Sequence, residues 1–344
     1  MGRRHDRVNV LVAVIVAVAA VALIFFAFKA LGDKSRKKTV SSPSADASAD
    51  AIEGPVITLG HKKYTYSDDI TNFLIIGTDH SGSYTTKAKG RNYQGEMADF
   101  LLIISVNDTK GTYTLLPIDR DTLTEVDMMT TDGKSYASAT EQICTAHWYG
   151  GNEKQSCRNT VKAVSRFLGN LPIKGYYSIG MDSIKAINHS VDGVTVTVKG
   201  DFSTIDPSLK EGATIHLTDD QAFHYVHERM YMPDDNTNSA RMERQQGYLD
   251  GFIKAAKAQM KKKPSFANDL YRKLEDLSVT NMNGHQISYL INTFAMKDMT
   301  GTLHIDGSYK EGKILDDKEK HGMFTADKSS IYDCLNEMLG LEDK

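Results

Sequence analysis

Nineteen consecutive apolar residues, Val10 to Phe28, set the first constraint on this chain. As a helix rising roughly 1.5 Å per residue they span about 28 Å, close to the hydrocarbon thickness of a bilayer. Arg3, Arg4 and Arg7 precede the run. A cleavable signal has a shorter apolar core that ends in small residues. Here the end reads Phe28-Lys29-Ala30-Leu31, a poor cleavage site, and no cysteine stands there to accept a lipid. The expected element is one uncleaved transmembrane anchor over 10–31, with 1–9 as a cytoplasmic tail. Charge alone leaves the orientation open, because Lys29, Lys34, Arg36, Lys37 and Lys38 follow the span.

Residues 39–55 are rich in Ser, Ala, Asp and Pro and cannot bury a core. The stretch 32–69 is therefore expected to be a flexible extracytoplasmic linker, with the folded body starting near Val56 or a little later. The first 38 residues carry a net charge of +6, which leaves −9 for the rest of the chain. A body of that charge is a poor nucleic-acid binder, since phosphate-backbone affinity needs an excess of Lys and Arg. An anion site would need arginines gathered locally. Three cysteines exclude a disulfide-dense scaffold or a cysteine-rich zinc protein.

The body alternates strands and helices. Asn72–Ile76 is a short apolar run stopped by Gly77, and Phe100–Val106 is nearly continuous apolar, as in a strand covered on both faces. Asn107–Gly111 is a turn, so 99–118 reads as a hairpin. Val161, Val164, Phe167, Leu168 and Leu171 have helical spacing, with Gly169 as a stop. Tyr176–Ile179 and Val194–Val198 read as strands. Ile184, Ile187 and Val191 mark a helix between them. Thr218 caps another helix, and a longer one is expected over 240–261. Leu303–Ile305 is expected as a last strand and 329–339 as a closing helix. The fold class is α/β, or α+β with a mixed sheet, its central β-sheet flanked by helices. Cys144 and Cys157 flank Gly150-Gly151 in a loop-like segment. A disulfide between them suits an oxidising compartment and closes a loop worth about 3 kcal/mol; two reduced thiols are the alternative.

Charged residues gather at strand ends. Asp79 closes the 72–79 segment, Asp99 precedes the central strand, and Asp119-Arg120-Asp121 follows the returning strand. Such positions line crevices at a sheet rim. Asp79 and Asp99 have the chemistry to hold Mg²⁺, and Arg120 to bind phosphate through its planar fork. Ordinary turn-forming and capping residues with local ion pairs are the competing reading. In a helix through 241–246, Arg241, Arg244 and Gln245 share a face. Its competing reading is a solvated helix face.

The stretches FLIIGTD (73–79), ADFLLIISVN (98–107), PIDRDTLTEV (117–126), VDGVTVTV (191–198) and LTDDQAFHYVHERMYMPDDNTNSARMERQQ (217–246), in this order behind an anchor, resemble the LytR-CpsA-Psr family of cell-wall transferases. The resemblance covers about 70–262 as the catalytic domain, with 263–344 as its C-terminal part or an extension. It implies a central sheet, a long pocket for a polyprenyl chain and a pyrophosphate site at its mouth. It further implies a Mg²⁺-dependent phosphotransferase. Such an enzyme moves teichoic acid, capsular or other wall polysaccharide from a polyprenyl pyrophosphate carrier to a peptidoglycan hydroxyl. The body would lie outside the cell membrane and the N-terminus inside.

Under that resemblance Asp79 and Asp99 would sit near the metal. Arg120, Arg229 and Arg241 would grip the pyrophosphate, supported by Gln245, with Arg244 on the same face. Arg120, Asp99 and Asp121 are the catalytic candidates, and Asp121 or Asp235 would take the hydroxyl proton. Four departures from the family pattern weaken the anion site. Met97 and His227 stand where arginines are usual, Asn238 where an aspartate is common, and Gln142 where a basic residue is often seen. Arg91, in the long 80–96 loop, is the candidate replacement for the charge missing at Met97. The departures motivate a second reading, a polyprenyl pyrophosphate binding protein with little catalysis. A transcriptional attenuator, which the family's older naming implies, has no basic recognition helix to support it.

Overall fold

The structure, a computed structural model, describes residues 55–80, 96–130, 133–228, 238–263, 266–313 and 321–344. The expected anchor lies outside these residues. Among the described residues no helix is long and apolar enough to cross a membrane.

The chain opens with a hairpin, β1 (Val56–Leu59) and β2 (Lys62–Thr65). This hairpin falls within the stretch expected to be linker. Then come β3 (Ile70–Thr78), β4 (Ala98–Asn107), β5 (Thr112–Ile118), β6 (Leu123–Met129) and β7 (Ser135–Gln142). A short 3₁₀ turn at Ile143–His147 leads into α1 (Glu153–Phe167). Next are β8 (Gly175–Ile179), α2 (Ser183–Ser190), β9 (Val194–Thr197), β10 (Thr214–Leu217), α3 (Asp219–His227) and α4 (Asn238–Lys262). The remainder is α5 (Phe266–Leu274), β11 (Ser278–Thr280), α6 (Gly284–Met296), β12 (Asp298–Thr302), β13 (Gly307–Gly312), β14 (His321–Ala326), α7 (Lys328–Leu339) and β15 (Glu342–Asp343).

The central sheet is mixed, in the order β11-β8-β3-β4-β5-β12. β3, β4 and β5 form an antiparallel meander, while β8 runs parallel to β3 and β12 parallel to β5. The centres of β3 and β4 are runs of apolar residues because both faces are covered. Phe73 and Ile75 face a core shared with α2, α3, α4, α5 and α6. Their neighbours Leu74 and Ile76 point the other way, into a core shared with α1 and α7. Burying these side chains on two faces supplies the main folding drive, at about 25 cal/mol per Å² of apolar area.

Residues 263–344 belong to the same body. Both edge strands of the central sheet, β11 and β12, come from this part, and β15 pairs with β2 of the opening hairpin. Leu303–Ile305 is not a strand; β12 lies just before it. The segment between Cys144 and Cys157 is not all loop either, for it holds most of the 3₁₀ turn and the start of α1.

The expected disulfide is absent. Cys144, Cys157 and Cys334 are all buried free thiols. Cys144 turns its sulfur to Arg120, with Nη2 3.3 Å away. Cys157, on α1, points toward Ser178 and stands 3.6 Å from His147 Nε2. Burial pushes both thiols up to about 12, so they stay protonated and unreactive at neutral pH.

Candidate active site

Topology brings the ends of four strands to one rim of the sheet. β3 ends at Thr78, paired with Ala98 at the start of β4, and β5 ends at Ile118, paired with Leu101. β8 runs parallel to β3, so its end delivers Ile179 to the same rim. The β3–β4 register shifts between Gly77 and Thr78. A side chain at Gly77 would start 2.9 Å from Phe100 Cβ, so glycine allows this close approach. The result is a crevice outside strand ends, a common place for ligands in α/β sheets.

Arg120 sits at the centre of this rim. Its Nη1 donates to Asp99 Oδ1, its Nη2 lies 3.2 Å from Met97 Sδ, and its Nε lies 3.4 Å from Asp121 Oδ1. Burial opposes its charge, but Cys144, Asp99 and Asp121 around it raise its pKa above the usual value. Arg241, on α4 and 5% exposed, places Nη1 3.2 Å from Asp99 Oδ2. Each oxygen of Asp99 therefore holds one arginine. Asp79 stands beside them, open to solvent on one side and with its carboxyl group partly enclosed by neighbours. Partial burial, then the carboxylates of Asp99 and Glu96, raise its pKa.

A small cleft of about 70 Å³ opens at this rim. Phe100, Ile179, Met181, Ile184 and Val226 give it apolar walls, and Asp99 and Gln245 add polar groups. Gln245 also donates to the Val226 carbonyl at 3.0 Å. α3, which carries Val226, starts at a reciprocal cap in which Thr218 and Gln221 each bond the other's backbone.

Arg244 does not join Arg241 at Asp99, although the two share a helix face. It is 1% exposed, donates Nε to the Tyr225 carbonyl and Nη2 to the Glu228 carbonyl, and lies over the Phe202 ring. Those bonds satisfy carbonyls at the end of α3, so Arg244 holds α3 against α4. His227 stacks on Phe223 and stands 3.5 Å from Glu228 Oε1. Arg91, Arg229 and Asp235 lie outside the described residues, as does the side chain of Asn238.

Asp121 is 7% exposed and is held from two directions. Gln142 Nε2 donates to its Oδ1 at 2.8 Å and to the Gly322 carbonyl at 2.6 Å. Its backbone oxygen accepts from Phe324 N at 2.8 Å, and Tyr309 Oη donates to neighbouring Asp119 Oδ2. The β13–β14 hairpin thereby braces the Arg120 loop. Sequence reasoning missed this brace and treated Gln142 only as a lost charge. No local motif marks a contact between residues so far apart in the chain.

The LytR_cpsA_psr family model matches residues 29–336. A Bacillus cereus (strain AH820) protein named polyisoprenyl-teichoic acid–peptidoglycan teichoic acid transferase TagU is 31% identical over 193 residues, 56% of this chain and 54% of that protein. The chain spans about half the length of the curated relatives it matches. Among solved structures, Bacillus subtilis TagV superposes with a TM-score of 0.54 at 21% identity, over 80% of this chain and 98% of that one. TagT bound to LI-WTA gives a TM-score of 0.54 at 20% identity, over 79% and 91%. These structures share the fold, a central mixed sheet flanked by helices. The match of the family model over most of its length places this chain in the LytR-CpsA-Psr family.

Proposed function

We propose that the chain transfers a glycopolymer from a polyprenyl pyrophosphate carrier to a peptidoglycan hydroxyl. One observation carries this reading: Arg120 and Arg241, from distant segments, meet on Asp99 at an apolar cleft. Guanidinium groups beside an apolar slot match the two ends of a lipid phosphate. The names of the TagU relatives point to the same class of reaction.

In the proposed reaction a sugar hydroxyl attacks phosphorus and gives up its proton to a nearby carboxylate, and the bond to the departing polyprenyl phosphate breaks. The protein's part in such a step is positioning and charge stabilisation. Arg120 and Arg241 would bind phosphate oxygens, prealigned by Asp99. Asp121, held by Gln142 and close to Arg120 Nε, would fix the Arg120 fork rather than reach the acceptor. Asp79 and Asp99 offer the hard oxygen donors that Mg²⁺ prefers, and the carboxylate crowding that raises Asp79 suits a cation there. When bound, Mg²⁺ would supply charge neutralisation on the pyrophosphate. The proposal includes an anchor at 10–31 that keeps the body at the outer membrane face, next to both substrates.

The test uses the full chain in detergent with a short polyprenyl pyrophosphate-linked sugar and peptidoglycan oligomers, with and without Mg²⁺. Mg²⁺-dependent product that disappears in Arg120→Ala supports the transferase. One contact favours a second reading, binding with little catalysis: Met97 fills an arginine position and its sulfur sits against Arg120. Saturable donor binding without product would replace the first reading by the second.

A further inference from the structure

A second polar cluster stands next to the arginine site and uses different residues. His80 follows β3, Glu96 precedes β4, and Glu153 opens α1. One ligand atom from each lies within 4.8 Å of the other two. His80 Nδ1 is 2.7 Å from Glu96 Oε1. The other oxygen of Glu96 is buried and has no hydrogen-bond partner among the described residues.

A third element frames the cluster. His147 is fully buried, with Nδ1 2.7 Å from the Glu96 backbone oxygen and Nε2 4.0 Å from Glu153 Oε2. A carbonyl only accepts, so Nδ1 carries the proton, and the Nε2 lone pair faces the Cys157 thiol at 3.6 Å, with Glu153 slightly farther off.

An ion pair accounts for His80 and Glu96. Glu153, whose charge also suits the N-terminus of α1, brings a second carboxylate into the same small space. Donors around one ion at about 2.1 Å stand roughly 3.4 Å apart in a tetrahedron, so small side-chain rotations would close this group on a cation. Nitrogen mixed with carboxylate oxygen favours a transition metal over Mg²⁺. The donor set thus differs from the all-oxygen pair Asp79 and Asp99.

We propose that His80, Glu96 and Glu153 bind one divalent transition-metal cation of the zinc or manganese kind, with His147 beside them as a supporting imidazole. The cation ties the start of α1 to the two residues that bracket segment 81–95 in the sequence. This inference stands apart from the transferase reading, because its test measures metal binding alone.

The experiment titrates chelator-treated full chain in detergent with Zn²⁺, Mn²⁺ and Mg²⁺ by calorimetry. Co²⁺ absorption serves as the probe of nitrogen ligation. One equivalent of Zn²⁺ or Mn²⁺ should bind, at least about tenfold tighter than Mg²⁺. His80→Ala and Glu153→Gln should each weaken it by about tenfold or more, while Asp79→Asn, which removes a nearby charge but no ligand, should weaken it less than either. Glu96→Gln replaces either variant if that one melts early in chelator. No saturable binding of Zn²⁺ or Mn²⁺ to the wild-type chain overturns the proposal. So does binding that survives the cluster variants or is lost only in Asp79→Asn.

Discussion

Arg241, on α4, sets Nη1 3.2 Å from Asp99 Oδ2, and it does so on a carboxylate whose other oxygen already holds Arg120. The carboxylate spaces the two cations and aims both at one place. If they act on one phosphate group, they act as a unit. Arg120→Ala and Arg241→Ala should each lower turnover about 10²-fold or more, the scale of one charge-stabilising donor. The double variant should lose less than the product of the two, because residues sharing a network do not add. Independent effects in a double-mutant cycle would show that the arginines serve different groups. Arg120→Lys should not restore the rate, since an ammonium lacks the planar fork.

Gln142 bonds Asp121 at 2.8 Å and the Gly322 carbonyl at 2.6 Å while itself 6% exposed. Gln142→Leu removes both bonds and leaves a buried carboxylate poorly satisfied, which costs about 1–3 kcal/mol. Thermal denaturation should show that loss as a lower melting temperature. A kcat decrease at unchanged donor KM would mark the loosened Arg120 loop. A melting temperature equal to wild type would show that the brace through β13–β14 is dispensable.

Local pattern carried the core of this fold and little of its periphery. The β3, β4 and β5 runs were legible because both faces are buried, so apolar residues crowd them. The α4 span was legible from helical spacing and falls within two residues of the expected range. β7 was not, because Ser135–Thr140 is mostly exposed and has no apolar alternation. The disulfide failed for a geometric reason. Spacing says nothing about side-chain direction, and Cys144 faces Arg120 while Cys157 faces Ser178. At the site, strand-end charges brought Asp79, Asp99 and Arg120 into view. The burial of Arg244 was invisible, because a helix face shared with Arg241 does not specify which arginine the neighbouring helix covers.

His147 gives the fold a defined acid limit. It is fully buried, and burial pulls its pKa down to about 4 from 6.5. The unfolded chain therefore binds a proton between those values that the folded chain refuses. Its stabilising contribution is complete above pH 6.5 and is lost as pH falls toward 4. At about 1.4 kcal/mol per pH unit, the loss across this window is roughly 3 kcal/mol. Denaturant unfolding of metal-free protein should show that slope, and His147→Gln should flatten it. A slope that is the same in the variant would assign the acid sensitivity to other groups.

Two glycines of α4 should respond to alanine with opposite signs. Helix propensity alone favours alanine by about 1 kcal/mol at either position. At Gly251 the added Cβ would lie 2.4 Å from the Thr195 carbonyl oxygen and 2.7 Å from Val194 Cγ1, on β9. The carbonyl cannot rotate away as a side chain would, so α4 must lift off β9. Overpacking of this kind costs about 1–3 kcal/mol, which outweighs the propensity gain. At Gly247 the nearest atom is Tyr225 Oη at 3.9 Å, an ordinary contact. Gly251→Ala should therefore melt below the wild type and Gly247→Ala slightly above it. If both variants melt higher, α4 is not seated on β9 through Gly251, and the close approach of helix and strand described here is wrong.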